Sequence, residues 1–102
     1  MELQDLSQLS VEDFSAFLNK KLKIKFDENH ILEAELIAAR QFNNYSPLER
    51  KPFSLVFRTD QKTDYFMQAI YILIHPEKNE IPLFLVPLGL DAEGMKYEAV
   101  FS

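Results

Sequence analysis

Residues 21–36 read KLKIKFDENHILEAEL. Leu22, Ile24 and Phe26 alternate with Lys23 and Lys25, and Leu32, Ala34 and Leu36 alternate with Glu33 and Glu35. Successive strand side chains point to opposite faces, so a period of two with one apolar and one charged set predicts strands with one wet face. Asp27, Glu28 and Asn29 supply turn chemistry between the runs. An antiparallel hairpin is expected, with the lysines of one strand facing the glutamates of the next.

Working outward, Ser10 and Asp13 resemble a capping box, and Val11, Phe14, Phe17 and Leu18 recur at helical spacing. This predicts a short amphipathic helix over about residues 11–19. Leu3, Leu6 and Leu9 extend its stripe or form a separate turn. Downstream, NNYSPLERKP at 43–52 has loop composition. Strands are expected at 53–58, 67–75, 81–88 and 96–101, joined by polar segments. Pro82 and Pro87 near the ends of 81–88 suggest an edge or a bend. The predicted fold is therefore α+β: a short N-terminal helix, then about six mostly antiparallel strands forming a meander-like sheet or small barrel, all within one domain, 1–102.

Two of these strands lack a wet face. In 67–75, Met67, Ala69, Tyr71 and Leu73 on one side and Ile70, Ile72 and Ile74 on the other are apolar, and 83–86 is apolar throughout. Such strands need cover from two directions. The N-terminal helix with closure of the sheet supplies it in one arrangement, and a subunit interface in the other.

Composition narrows the chemistry. The 102 residues are 47% hydrophobic, 13% aromatic and 26% charged, within the globular range. There is no cysteine, and MELQDLSQLS has no basic patch leading into an apolar run, so a cytoplasmic location without membrane spans is expected. The net charge is −5, with 7 basic and 9 acidic side chains in residues 1–51 and 4 and 7 in 52–102, which disfavours nucleic acid as a partner. With only Gly89 and Gly94, neither a phosphate loop nor a dinucleotide fingerprint can be built. Without cysteine there is no thiolate metal site, and His30 and His75 show no ligand spacing, so no metal or other cofactor is expected. Asp91-Ala-Glu93-Gly94 resembles the opening of a calcium loop but fits a polar turn better. The candidate polar cluster is Arg58, Gln68, His75, Tyr97 and Glu98, polar residues set among apolar ones, with an Arg58–Glu98 pair expected to help fix register. No catalytic residue is assigned.

The segments PFSLVFR at 52–58, Gln68 to Tyr71, LFLVPLG at 83–89 and GMKYEAVF at 94–101 resemble an uncharacterised bacterial family known only as a domain of unknown function. The resemblance also covers the Phe14-bearing segment and the first strand pair. Its relatives carry glycine where this chain has Asn19 and Lys20, and Lys78 and Asn79, which bears on turn geometry. It implies an accessory or assembly role beside phage-tail-like fibre or collar proteins. The expected function is accordingly a non-catalytic binding or assembly module, with a protein partner or self-association. The alternative is a small ligand-binding barrel with a pocket near Tyr71, Tyr97 and Arg58.

Overall fold

The computed structural model describes residues 9–42 and 52–101. The described elements are α1 (Glu12–Ser15), β1 (Lys21–Asp27), β2 (His30–Gln41), β3 (Phe53–Thr59), β4 (Ala69–His75), β5 (Asn79–Leu90) and β6 (Met95–Phe101). The strands close into one antiparallel barrel in the order β1-β2-β3-β6-β5-β4. This corrects the α+β assignment: the described residues are nearly all β, and the one helix among them has four residues. The expected loop at 43–52 lies, apart from Pro52, outside the described residues, as do Leu3 and Leu6.

The predicted helix fails for a physical reason. Val11, Phe14 and Phe17 are three apart, a spacing that suits tight turns as well as an α-helix. After Ser15 the backbone makes i to i−3 bonds, with Phe17, Leu18 and Lys20 N–H donating to Phe14, Ser15 and Phe17 carbonyls. Asn19 then takes a left-handed φ of 66°, and its N–H donates to the Leu36 carbonyl, handing the chain to the sheet. One half of the expected capping box exists: the Asp13 carboxylate accepts the Ser10 N–H at 2.9 Å. Asn79, the first residue of β5, is left-handed too, with φ 63°. Asparagine tolerates this region better than other residues with a Cβ.

The β1–β2 hairpin pairs Lys21 with Glu35 and Lys23 with Glu33, burying Leu22, Ile24, Phe26, Ala34 and Leu36. β2 runs five residues beyond Leu36 because Ile37 is accommodated as a bulge between the Leu36–Phe57 and Ala38–Val56 pairs. The succession is not a simple meander. After β3, residues 60–68 carry the chain across so that β4 pairs with β1, while β6 fits between β3 and β5. Three hairpin-linked strands with the fourth returning beside the first are a Greek key. β5 is consequently paired on both sides, not an edge. Its prolines are tolerated because the β5–β6 ladder begins only at Leu85, past Pro82, and is bulged next to Pro87.

Closure divides the doubly apolar strands. Leu73, His75, Ile81, Leu83 and Leu85 point inward and are buried with Leu55, Phe57, Tyr97 and Ala99. Ile70 and Phe84 point outward and are exposed. Two aromatic groups close the ends. At one, Phe53 and Phe101 stack at 4.3 Å and Phe14 packs on both. At the other, Phe26 stacks on Phe66 at 4.3 Å and contacts Tyr71 and Tyr97.

Candidate interaction surface

The five polar candidates occupy separate places. Arg58 projects from the outer side of β3, where its guanidinium meets Asp91 at 3.3 Å, Glu35 at 3.6 Å and the carboxylate of Glu93. Glu98 shares the outer face but stands beside Val56 and Val86. The expected Arg58–Glu98 pair is thus replaced by a bridge from β3 to β2 and to the β5–β6 turn. Gln68 is exposed ahead of β4. Tyr97 is buried inside the barrel; its hydroxyl donates to Gln61 Oε1 at 2.7 Å and accepts the Phe66 N–H at 3.0 Å. Burial raises its ionisation above the ordinary tyrosine value. Tyr71 and Tyr97 meet around Phe26, but Arg58 lies outside the barrel, so the three do not line one cavity.

His75 is buried at the end of β4, with the rings of Phe14 and Phe17 edge-on to it at 5.5 and 4.9 Å. Its Nδ1 accepts the N–H groups of Glu77 and Lys78 at 3.0 and 3.1 Å. Its Nε2 therefore carries the proton and donates to the Asp13 carbonyl at 2.8 Å. One imidazole thus ties the N-terminal segment to the β4–β5 turn, and Lys78 adds an ion pair to Asp13 at 3.5 Å. His30 is exposed, its Nδ1 at 2.8 Å from Asp27. No cluster of three His or acidic residues able to hold a metal occurs among the described residues.

The Asp91 turn is a structural cap. Its Oδ1 accepts the N–H groups of Glu93 and Gly94, both at 2.8 Å. These backbone bonds, that of Glu93 foremost, and then Arg58 hold the Asp91 carboxyl below its ordinary 3.8. The His30 hydrogen bond, followed by the Asn29 N–H, does the same for Asp27. A carboxylate with a depressed folded pKa contributes stability above its unfolded value and loses it as pH falls through the folded one. The melting temperature is therefore expected to change little between about pH 7 and pH 5 on their account and to fall below about pH 4. Scanning calorimetry of Asp91→Asn should show a shallower acid decline than the parent.

The barrel's outer face supplies the candidate surface. Of the nine large hydrophobic side chains most exposed among the described residues, seven are Tyr65, Met67, Ile70, Phe84, Leu88, Leu90 and Val100. They lie on β4, β5 and β6 and on the segment entering β4. Ile70 is paired with Phe84 across the β4–β5 ladder, and the two are 67% and 53% exposed, with Val100 at 59%. Along β5 the outer positions are Glu80, Pro82, Phe84, Val86 and the bulged Leu88, apolar after Glu80; past the bulge Gly89 stands opposite Lys96, and Leu90, paired with the buried Met95, is exposed at the end of the strand. Tyr65, Leu88 and Leu90 also line a groove of about 300 Å³. Beside β4, β1 presents Lys23 and Lys25 opposite Ile74 and Ile72; beside β5, β6 presents Glu98 opposite Val86 and Lys96 opposite Gly89. Sequence reasoning marked both faces of these strands as apolar; which one faces water depends on closure.

A second cleft, of about 370 Å³, lies between the β1–β2 turn and the segment entering β4, with His30, Lys62, Asp64 and Tyr65 among its lining. No described helix is long and apolar enough to cross a membrane. No curated protein and no solved structure matches the chain. A family model does match, over residues 9–101, and the chain accordingly belongs to the family described as domain of unknown function DUF6916.

Proposed function

We propose that this domain is a non-catalytic binding or assembly module of the cytoplasm, and that its working surface is the outer face of β4, β5 and β6. The observation that carries this reading is the exposed row Ile70–Phe84–Val100 together with the apolar outer positions of β5 from Pro82 to Leu88. Contiguous apolar area of this kind is uncommon on monomeric soluble proteins and marks places where another surface docks. Each described strand is paired on both sides over at least part of its length, which favours face-to-face packing over strand addition. The ligand-barrel alternative has less support, since the inner faces of all six strands are filled by buried side chains.

The resemblance to a family accompanying phage-tail-like clusters makes a fibre or collar protein encoded beside this chain the first partner to test. Co-expression of that protein with the parent and with an Ile70→Lys/Phe84→Lys variant separates the outcomes. Capture is expected with the parent and is expected to be lost in the variant, with circular dichroism and melting temperature close to the parent's. Equal capture by both would refute this assignment of the surface.

A further inference from the structure

We infer that residues 61–67 form a strap that opens as one unit at the mouth of the barrel while the six strands stay paired, and that the Tyr97 hydroxyl is its latch. The strap runs from β3 to β4 without regular structure. Among the described residues, no hydrogen bond between two backbone groups holds it. Side chains hold it instead, and chiefly at its two ends.

At the first end, Gln61 Oε1 accepts the Tyr97 hydroxyl at 2.7 Å and the Thr59 hydroxyl at 2.9 Å. At the other, the Phe66 N–H donates to the same Tyr97 oxygen at 3.0 Å. The Phe66 ring stacks there on Phe26, and the Tyr71 hydroxyl donates to the Met67 carbonyl. Between the ends, Lys62, Thr63, Asp64 and Tyr65 are exposed, with one outer tie from the Lys62 ammonium to the Glu93 carbonyl at 3.0 Å. A loop whose ends meet at one point and whose middle stands in water has the Ω form. One buried hydroxyl is donor to one end and acceptor for the other, so release of either end weakens the hold on its fellow.

The strap has room to move. Thr63 and Tyr65 line both the cleft of about 370 Å³ toward His30 and Leu32 and the groove of about 300 Å³ toward Leu88 and Leu90. Displacing the strap joins these two spaces and uncovers Phe26, Tyr71 and Tyr97, an aromatic floor with two released hydroxyls. The ladders on either side of it, β3–β6 and β4–β5, run without a bulge. Segments that lack backbone bonds and bury few side chains open at the low end of a protein's local stability, ahead of such ladders.

Native-state hydrogen exchange of the full chain, followed by NMR, tests this with the Phe66 amide as probe and the amides of the β3–β6 ladder as reference. The Phe66 amide is expected to exchange about tenfold faster than the slowest ladder amides or more, at a rate that low urea leaves unchanged, because opening the strap exposes little surface. Gln61→Ala keeps the acceptor of the Phe66 N–H but frees the opposite end, and is expected to speed Phe66 exchange about fivefold. Tyr71→Phe, which releases the Met67 carbonyl, is expected to act in the same direction. Ile81→Val weakens the barrel away from the strap, at the far end of the β4–β5 ladder. It is expected to speed ladder exchange severalfold and leave Phe66 unchanged, since closed and open strap both keep that strand. Phe66 exchange that matches the ladder in rate and urea dependence, or that follows Ile81→Val, overturns the inference by showing that the strap leaves only when the barrel unfolds. Indifference of Phe66 to both Gln61→Ala and Tyr71→Phe overturns it by showing that the two ends are not one unit.

Discussion

Replacing Gly94 with alanine is expected to destabilise the barrel by about 3 kcal/mol or more, near the upper end for single substitutions. A Cβ placed there would stand 1.7 Å from the Thr59 carbonyl oxygen and 2.9 Å from its carbon. Both atoms are backbone, in the strand pair that joins Thr59 to Met95, so no side-chain rotation relieves the overlap. The ends of β3 and β6 must part, and the Asp91 turn moves with them, because the Gly94 N–H is one of its two donors. For a domain of this size the loss corresponds to a fall in melting temperature of roughly 15 °C. Gly89→Ala is the internal control. That glycine also has positive φ, 133°, but nothing lies within 4 Å of its added Cβ. Its cost should be limited to backbone strain of about 1–2 kcal/mol. Thermal melts of both variants by circular dichroism check the ordering, and equal losses would show that conformation, not the carbonyl contact, governs Gly94.

His75→Ala is expected to cost about 3 kcal/mol. Three backbone groups lose their partner at once: the N–H groups of Glu77 and Lys78 and the carbonyl of Asp13. The alanine also leaves space beside Phe14 and Phe17, whose rings pack on the imidazole. His75→Phe fills that space but cannot hydrogen-bond, so it separates packing from polar satisfaction. If the hydrogen bonds dominate, chemical denaturation should give similar losses for both substitutions. Recovery of most of the parent's stability by phenylalanine would assign the site to packing instead. Protection of the Glu77 and Lys78 amides from hydrogen exchange should fall in either variant.

His75 also shows what can and cannot be read along a chain. Its place just before Pro76, at the end of an apolar run, marks a strand terminus, and it stands as a polar residue among apolar ones. The partner that explains it, the carbonyl of Asp13, lies 62 residues away, and a backbone carbonyl has no sequence signature. The same limit governs Arg58. Glu98 is a plausible carboxylate on the outer face, but the guanidinium is drawn to Asp91 and Glu93 by a turn whose position depends on β5 and β6 being paired. The hairpin around Asp27–His30 was legible because alternation and turn chemistry are local. The length of β2 was not, since the bulge at Ile37 breaks the alternation. Nor was closure, because β4 pairs with β1 and β6 with β3 across long stretches of chain. The apolar character of 67–74 and 83–86 was visible, whereas the division into buried and water-facing sides had to come from the barrel.

The place of β6 between β3 and β5 has a consequence for how the molecule comes into being. During synthesis from the N-terminus, β3 and β5 can each be complete while the strand that joins them is still missing. Until Met95–Phe101 is laid down, two bare edges face one another across a gap, and the Phe53 ring lacks the Phe101 ring on which it stacks. Sealing that gap joins residues 36 to 48 positions apart in the β3–β6 ladder. Such distant pairing makes for slow folding, and the open edges of the intermediate are the places at which nascent chains would stick to one another.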